Sequence, residues 1–372
     1  MPIRLNRTTM RKVHVRALVW DGDGLQVDPT VEVRPPGPGE VAVDIAMAGL
    51  CHSDLSPMEG RIPQPTPAIL GHEAVGTVAA AGPGAGVPVG QRVVLTVLRR
   101  CGECRHCREG RPTLCPASAR PVASPFSRGG AVVHQFVKLG AFAERVVVAR
   151  EQVIAMPAEI SDPVAAMLGC ATVTAFGAVE DRARLRPGES VLVTGAGGIG
   201  LNAVLAARSA GAERIVVVDR NPAKERIART CGASDFIVSG DPSEIAPAVR
   251  DLAPGGVDAA FECTGHTGVL NAAVKSLAGG GRVVVVGLPP TGGTLDLEVR
   301  DLFHDKSLLG CRMGSVDPHR KLPDLAERVL RGELDLTPLV SAVVPMEGAA
   351  RLVDDLRNGR IDRGFLRFGS TS

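Results

Sequence analysis

Four glycines fall within six residues, Gly195, Ala196, Gly197, Gly198, Ile199 and Gly200, between a strand-length apolar run at 191–194 and a helix-length run at 201–210. No other feature restricts the fold of this chain so strongly. In that context Gly195 permits a tight turn, Gly197 lets backbone approach a pyrophosphate, and Gly200 allows helix and strand to pack closely, with Gly198 completing the loop. The helix N-terminus points backbone N–H groups at the same place and favours negative charge there. A second strand at 215–219 closes a βαβ unit, with further strands predicted at 235–238, 257–261 and 281–287 and helices at 223–230, 244–252 and 268–277. The result is a doubly wound parallel sheet. Asp219 ends the second strand about twenty residues past the loop, where a carboxylate accepts hydrogen bonds from ribose hydroxyls and repels a 2′-phosphate. This favours NAD over NADP, although the neighbouring Arg220 is placed to meet such a phosphate.

The rest of the chain patterns differently. From 15 to 148 short alternating runs such as 41–45, 76–79 and 92–96 are broken by Pro and Gly turns, the mark of a β-rich, barrel-like unit. A helix near 322–331 and a closing segment at 336–368 are too small to stand alone and are expected to return to that first unit. The expected division is 1–172, with 1–14 as an extension, then 173–312 and 313–372. At 372 residues the chain is long enough for two cores without staples.

A net charge of +2 with no concentrated basic face, and no Tyr at all, leaves little for nucleic acid to bind. The longest apolar runs, such as 215–218 and 283–286, are strand-sized against the ~20 residues a membrane span needs, so no span is expected. The first twenty residues carry Arg4, Arg7, Arg11, Lys12 and Arg16 but no apolar signal-peptide core, which disfavours secretion. Nine cysteines, four of them within fifteen residues, suit a metal site in a reducing compartment, and the cytoplasm is the expected location.

Those four are Cys101, Cys104, Cys107 and Cys115, two successive C-x-x-C steps and a fourth thiol. They can close a tetrahedron around zinc with no open position, so the metal there should be structural. A second set is dispersed: Cys51-His52-Ser53-Asp54, Gly71-His72-Glu73 and Gly169-Cys170. Cys51, His72 and Cys170 would supply two thiolates and one imidazole, leaving one coordination position for water or substrate. Taken singly, each has an ordinary alternative, since a lone buried Cys is usually a small hydrophobe.

The three motifs in this order resemble the zinc-dependent medium-chain alcohol dehydrogenase family, from about residue 15 to 368. The resemblance implies a GroES-like catalytic domain interrupted by a Rossmann domain, NAD in the cleft, and two zinc ions per chain, one catalytic and one structural. It implies that Ser53 relays the alcohol proton, that Asp54 orients His72, and that Glu73 approaches the metal when water exchanges. It puts His52 and Arg363 at the pyrophosphate, Lys224 at the adenosine ribose, and Thr174, Ile199, Val286, Cys311 and Met313 around the nicotinamide. The stretch 116–142 resembles the extended loop of the animal, plant and glutathione-dependent branches, which implies a homodimer, with a tetramer as the alternative. The sequence departs from the pattern at Ser56, where a relay His often stands, at Val97 and Met313, which replace aromatic pocket residues, and at Arg61, where glutathione-dependent members are acidic.

The expected chemistry is hydride transfer between NAD and a primary or secondary alcohol or aldehyde whose oxygen sits on the catalytic zinc. Three rivals stand beside it. One is the same chemistry on a formaldehyde adduct of glutathione or mycothiol. Another is a non-catalytic NAD-binding sensor, which would have no need of Ser53 or of three open-site ligands. The third is a zinc ribbon at 101–115 that reads nucleic acid.

Overall fold

The computed structural model describes residues 12–369. Its parallel sheet has six strands in the spatial order Asp235–Val238, Arg214–Asp219, Ser190–Thr194, Val257–Glu262, Leu277–Val285, Ser307–Gly310. Numbered along the chain this is 3-2-1-4-5-6, the doubly wound arrangement that opens a crevice beside its first strand. The inner strands Ser190–Thr194, Arg214–Asp219 and Val257–Glu262 are apolar runs buried along most of their length, as parallel strands covered on both faces must be, while the edge strands Asp235–Val238 and Ser307–Gly310 are partly exposed. Val191, Val193 and Val217 pack with Leu201 and Val204 on one face. Leu192, Val216 and Val218 pack with Ile245, Val249 and Ala273 on the other. The sixth strand was not foreseen in the sequence, and the fifth starts at Leu277, earlier than expected.

The β-rich part consists of two sheets. Val13–Trp20, Leu25–Val33, Phe126–Arg128, Ala131–Gln135 and Ala68–Ile69 close a barrel. A seven-stranded sheet runs Val153–Ala155, Arg92–Leu95, Glu73–Ala81, Glu40–Leu50, Gly364–Arg367, Ala342–Pro345, with Arg145–Ala149 also pairing with Glu40–Leu50. Gly364–Arg367 lies antiparallel to Glu40–Leu50, Gly364 opposite Leu50, so the end of the chain is built into the first sheet.

Two expectations need correction here. Residues 12–14 are not part of an extension: a strand begins at Val13, and the Lys12 ammonium meets Glu32 at 3.0 Å. Residues 1–11, with Arg4, Arg7 and Arg11, lie outside the described residues. The stretch 116–142 is not simply a loop, because Phe126–Arg128 and Ala131–Gln135 form a hairpin that completes the barrel.

A third difference is larger. One helix, Asp162–Arg182, is long and apolar enough to cross a membrane, with mean hydropathy 1.4, where the sequence suggested only strand-sized runs. Its most apolar stretch is 83% buried inside the protein, which makes it a core helix. It is α-helical at Asp162–Met167 and Val173–Phe176, with wider π turns at Leu168–Thr172 and Gly177–Arg182. Its first part packs on Glu40–Leu50 and Glu73–Ala81, and its later part packs on the glycine-loop helix Gly198–Ser209.

Candidate metal and coenzyme site

Cys51 caps the short helix His52–Met58 in extended conformation, at the end of strand Glu40–Leu50. Asp54, fully buried, accepts from the backbone N–H of Cys51 at 3.0 Å and from that of Gly71 at 3.0 Å. Its Oδ1 also lies 3.0 Å from His72 Nδ1. One carboxylate therefore fixes the turn that carries Cys51 and the ring that follows Gly71, leaving His72 Nε2 for a ligand. Gly71 sits at φ +88, and a Cβ there would fall 2.4 Å from the Phe142 ring, so only glycine lets the chain deliver His72. Phe136 meets the His72 ring edge-on, with centroids 5.8 Å apart.

Donor atoms of Cys51, His72 and Glu73 lie within 4.8 Å of one another. Cys170 joins them from the π turn of the long helix, its thiol in hydrogen-bond contact with that of Cys51. A Cβ at Gly169 would lie 2.6 Å from Leu95 O, so the helix approaches the sheet closely at the residue before this cysteine. The Cys51 thiol is held well below the ordinary cysteine value by that hydrogen bond, against burial, and then by His72. Cys170 is pushed well above it by Cys51 and by burial. Burial alone would discharge His72, but the Asp54 carboxylate and then Cys51 outweigh it and lift the ring to about 10. The pocket is electrostatically arranged to hold positive charge, and two thiols with an imidazole are a fitting donor set for zinc. Ser53 Oγ lies 3.6 Å from Cys51 Sγ. Glu73, fully buried, forms an ion pair with Arg363.

That pair bridges to the glycine loop, because a Cβ on Gly198 would fall 2.4 Å from Arg363 Cδ. Gly195 is at φ +89, and a Cβ on Gly200 would fall 1.8 Å from Gly195 O. Above Gly197, by contrast, the space is open. Thr194 Oγ1, at the end of the first strand, is buried with no partner among the described residues. An open cradle beside an unpartnered hydroxyl and a helix N-terminus fits a pyrophosphate. Asp219 accepts from Ala196 N at 2.7 Å and Asn221 N at 2.8 Å, so it braces the loop from behind, with Arg220 exposed beside it. Lys224, where the resemblance implied ribose contact, meets Asp362 at 2.6 Å. His52 keeps an exposed edge, and the packing around the rest of its ring, with the nearby Arg363, Arg61 and Lys224 cations, holds it below the ordinary histidine value against the pull of Cys51. Ile199, Val286, Cys311 and Met313 pack half-buried against the core that holds the long helix, on which Thr174 is 9% exposed.

The other cysteine centre lies apart from this cleft. Donor atoms of Cys101, Cys104, Cys107 and Cys115 gather within 4.8 Å, and the Cys101 and Cys115 sulfurs are 3.6 Å apart. Zn–S bonds of about 2.3 Å in a tetrahedron put sulfurs about 3.8 Å apart, whereas a disulfide would need about 2.05 Å. All nine cysteines are free. Backbone N–H groups of Glu103 and Cys104 draw Cys101 down to about 6, while burial pushes Cys107 up to about 12.

Three features escaped the sequence reading. Thr172 and Asn202, both fully buried, share a 2.9 Å hydrogen bond, and Asn202 Nδ2 donates to Gly198 O at 2.7 Å, linking the Cys170 turn to the glycine loop. Glu262, at the end of the fourth strand, accepts from the N–H groups of Thr264 and Gly265, and Thr264 in turn packs against Gly195. Arg312 reaches Thr113 O and Ser118 Oγ beside the four-cysteine lobe. Of these only the glutamate gave a readable signal, as a carboxylate at the end of a predicted strand.

Residues 37–158 match the model of the alcohol dehydrogenase GroES-like domain and residues 198–331 that of the zinc-binding dehydrogenases. An S-(hydroxymethyl)glutathione dehydrogenase of Synechocystis is 32% identical over 91% of this chain and 95% of its own length. Among solved structures, an alcohol dehydrogenase zinc-binding domain protein from Burkholderia ambifaria superposes with TM-score 0.90 at 31% identity, covering 96% of this chain and 100% of its own. Benzyl alcohol dehydrogenase from Acinetobacter calcoaceticus does so with TM-score 0.89 at 28% identity and the same coverage.

Proposed function

Because the chain belongs to the zinc-dependent medium-chain alcohol dehydrogenase family, we propose that it moves a hydride between NAD and a primary or secondary alcohol or its aldehyde or ketone. The observation that carries this reading is the position of Cys51, His72 and Cys170 beside the glycine loop, joined to it by the Glu73–Arg363 pair. Zinc on these three donors would lower the proton affinity of an alcohol oxygen, and NAD in the cleft would accept the hydride.

The chain's own residues do the rest. Asp54 keeps His72 in the tautomer that presents Nε2. Ser53 takes the hydroxyl proton and hands it toward solvent past His52. The Gly197 cradle and the helix N-terminus hold the pyrophosphate, with the Arg363 guanidinium and the His52 ring as its neighbours and Lys224 near the ribose. Thr174, Ile199, Val286, Cys311 and Met313 wall the nicotinamide and exclude water from the transfer. Asp219 supports NAD over NADP.

We assign a second, structural zinc to Cys101, Cys104, Cys107 and Cys115, and divide the chain into a catalytic unit of 1–172 and 313–372 around a coenzyme unit of 173–312. A cytoplasmic homodimer completes the reading. The name of the Synechocystis relative supports a second one, oxidation of a formaldehyde adduct of glutathione or mycothiol.

The test is NADH formation across primary, secondary and aromatic alcohols, each with and without formaldehyde plus glutathione or mycothiol. Thiol-independent turnover supports the alcohol reading. Turnover only with thiol moves the protein to the adduct, and none at all removes the hydride-transfer reading.

A further inference from the structure

We propose that Thr172 and Asn202 are positioning residues that couple the metal cluster to the coenzyme, so that filling the Cys51, His72 and Cys170 cluster tightens the grip of the glycine loop on the pyrophosphate. The inference rests on the metal and coenzyme assignments of the hydride-transfer reading and adds a physical link between the two sites.

Cys170 and Thr172 share one π turn, Leu168–Thr172, and the thiol of Cys170 reaches that of Cys51. From the same turn the Thr172 hydroxyl donates to Asn202 Oδ1 at 2.9 Å. Asn202 Nδ2 in turn donates to Gly198 O at 2.7 Å and lies 3.8 Å from Met167 Sδ. Met167, Thr172 and Asn202 are fully buried. Only one orientation of the amide suits these partners, since turning it over would set Oδ1 against Gly198 O, acceptor against acceptor. Gly198 C=O and Ile199 N–H belong to one planar peptide unit in the first turn of helix Gly198–Ser209. A carbonyl held by Asn202 therefore aims the Ile199 N–H, one of the donors a helix leaves free at its start, out of the N-terminus where the pyrophosphate is placed.

Packing alone does not call for a polar pair here. Asparagine is a weak helix former, and a buried amide costs free energy unless it is bonded. Both partners also have local substitutes: the helix ladder can serve Gly198 O from the Asn202 backbone, and a helical threonine can bond the carbonyl four residues before it. An apolar pair would fill the same space without a directed link. What the polar pair adds is direction, because a shift of the Cys170 turn moves Thr172 and, through the amide, the Gly198 peptide. Room to slip is small at both ends. A Cβ on Gly169 would lie 2.6 Å from Leu95 O, and one on Gly198 would fall 2.4 Å from Arg363 Cδ. By linkage the effect is reciprocal, so coenzyme in the loop also strengthens metal binding at the cluster.

ADP-ribose carries the pyrophosphate but no nicotinamide, so its affinity reads the glycine loop without turnover. Calorimetric titration compares the wild type, Cys51→Ser, Asn202→Leu and the double variant, and metal analysis should find one equivalent fewer wherever Cys51 is replaced. Cys51→Ser should weaken ADP-ribose binding about fivefold or more in the wild-type background. In the Asn202→Leu background the same change should shift it by less than about twofold, the ordinary limit of additivity. Thr172→Val should remove the coupling as Asn202→Leu does, and takes its place if Asn202→Leu does not fold. Thr172→Ser, which keeps the hydroxyl, should retain it. A merely structural pair would lower stability yet leave the effect of Cys51→Ser the same in every background. That result overturns the proposal, since the effect would then come from His52 beside Cys51. Equal affinity in the wild type and Cys51→Ser overturns it as well. No ADP-ribose binding to the wild type fails the coenzyme reading itself, a result distinct from binding without coupling.

Discussion

The two cysteine centres solve different problems. The lobe holding Cys101, Cys104, Cys107 and Cys115 gathers all its donors from one short segment, and its N–H···S contacts come from that same segment: Cys104 N to Cys101 Sγ at 3.3 Å and Cys101 N to Cys115 Sγ at 3.4 Å. The cleft cluster draws its thiols and imidazole from a strand end, a glycine turn and a π turn, with Asp54 and Glu73 buried beside them. One centre depends on local spacing, the other on the whole fold. Damage to the first should therefore appear in stability, and damage to the second in chemistry.

The sharpest way to break that contrast is Cys51→Ser. Activity should fall about a thousandfold or more, about 4 kcal/mol of transition-state stabilisation, because a metal's charge on the reacting oxygen is worth several kcal/mol. Circular dichroism and the thermal midpoint should hardly move. If Cys51→Ser unfolded the protein, the two centres would not differ in kind.

Cys107→Ser should do the reverse. Loss of a cross-link between chain segments costs roughly 2–5 kcal/mol by analogy with a native disulfide. Calorimetric unfolding should show that loss, with one metal equivalent missing and the activity of the surviving folded fraction largely kept.

Asp54→Asn sharpens the comparison from within the cleft. Removing the charge that orients His72 should weaken metal binding there by about 10–100-fold, read by competition with a chromogenic chelator, and leave the four-cysteine lobe loaded. Thr172→Val removes the donor to Asn202 Oδ1 at nearly constant shape, at a cost of about 1–2 kcal/mol. Since Asn202 also holds Gly198 O, NAD affinity should drop several-fold and the deuterium isotope effect on turnover should rise, which a purely structural defect would not produce.

The smallest expected effect lies where the long helix meets Pro318–Leu330. Burial tends to raise Glu180, but Arg328 and Lys321 outweigh it and lower its pKa. The unfolded chain then binds the proton more readily, so this contribution is full above the ordinary glutamate value near about 4.3 and is lost as pH falls through the folded one. Glu180→Gln should remove about 1 kcal/mol at neutral pH and flatten the acid limb of the stability curve.

The legible parts of the molecule were those whose signal is local. The glycine loop, strand Asp235–Val238 and the four-cysteine lobe carry their own periodicity or spacing. Helix Asp162–Arg182 did not show itself, because a helix buried on most sides has no polar stripe to mark a period of 3.6, and its π turns blur what remains. The short strands at Ala68–Ile69 and Phe126–Arg128 exist only through barrel pairing. In the cleft, nothing in the spacing of Glu73 and Arg363 announces an ion pair, and Lys224 turned to Asp362, a partner supplied by the far end of the chain.

Everything turns on the proposal that Cys51, His72 and Cys170 direct a hydride from an alcohol carbon to NAD. Its most direct test uses an alcohol deuterated at the carbinol carbon, with mass spectrometry of the reduced coenzyme from the wild type and from Cys51→Ser. The account predicts deuterium in the coenzyme formed by the wild type and almost no reduced coenzyme from the variant. Unlabelled reduced coenzyme from the wild type, or equal labelled product from Cys51→Ser, would contradict it.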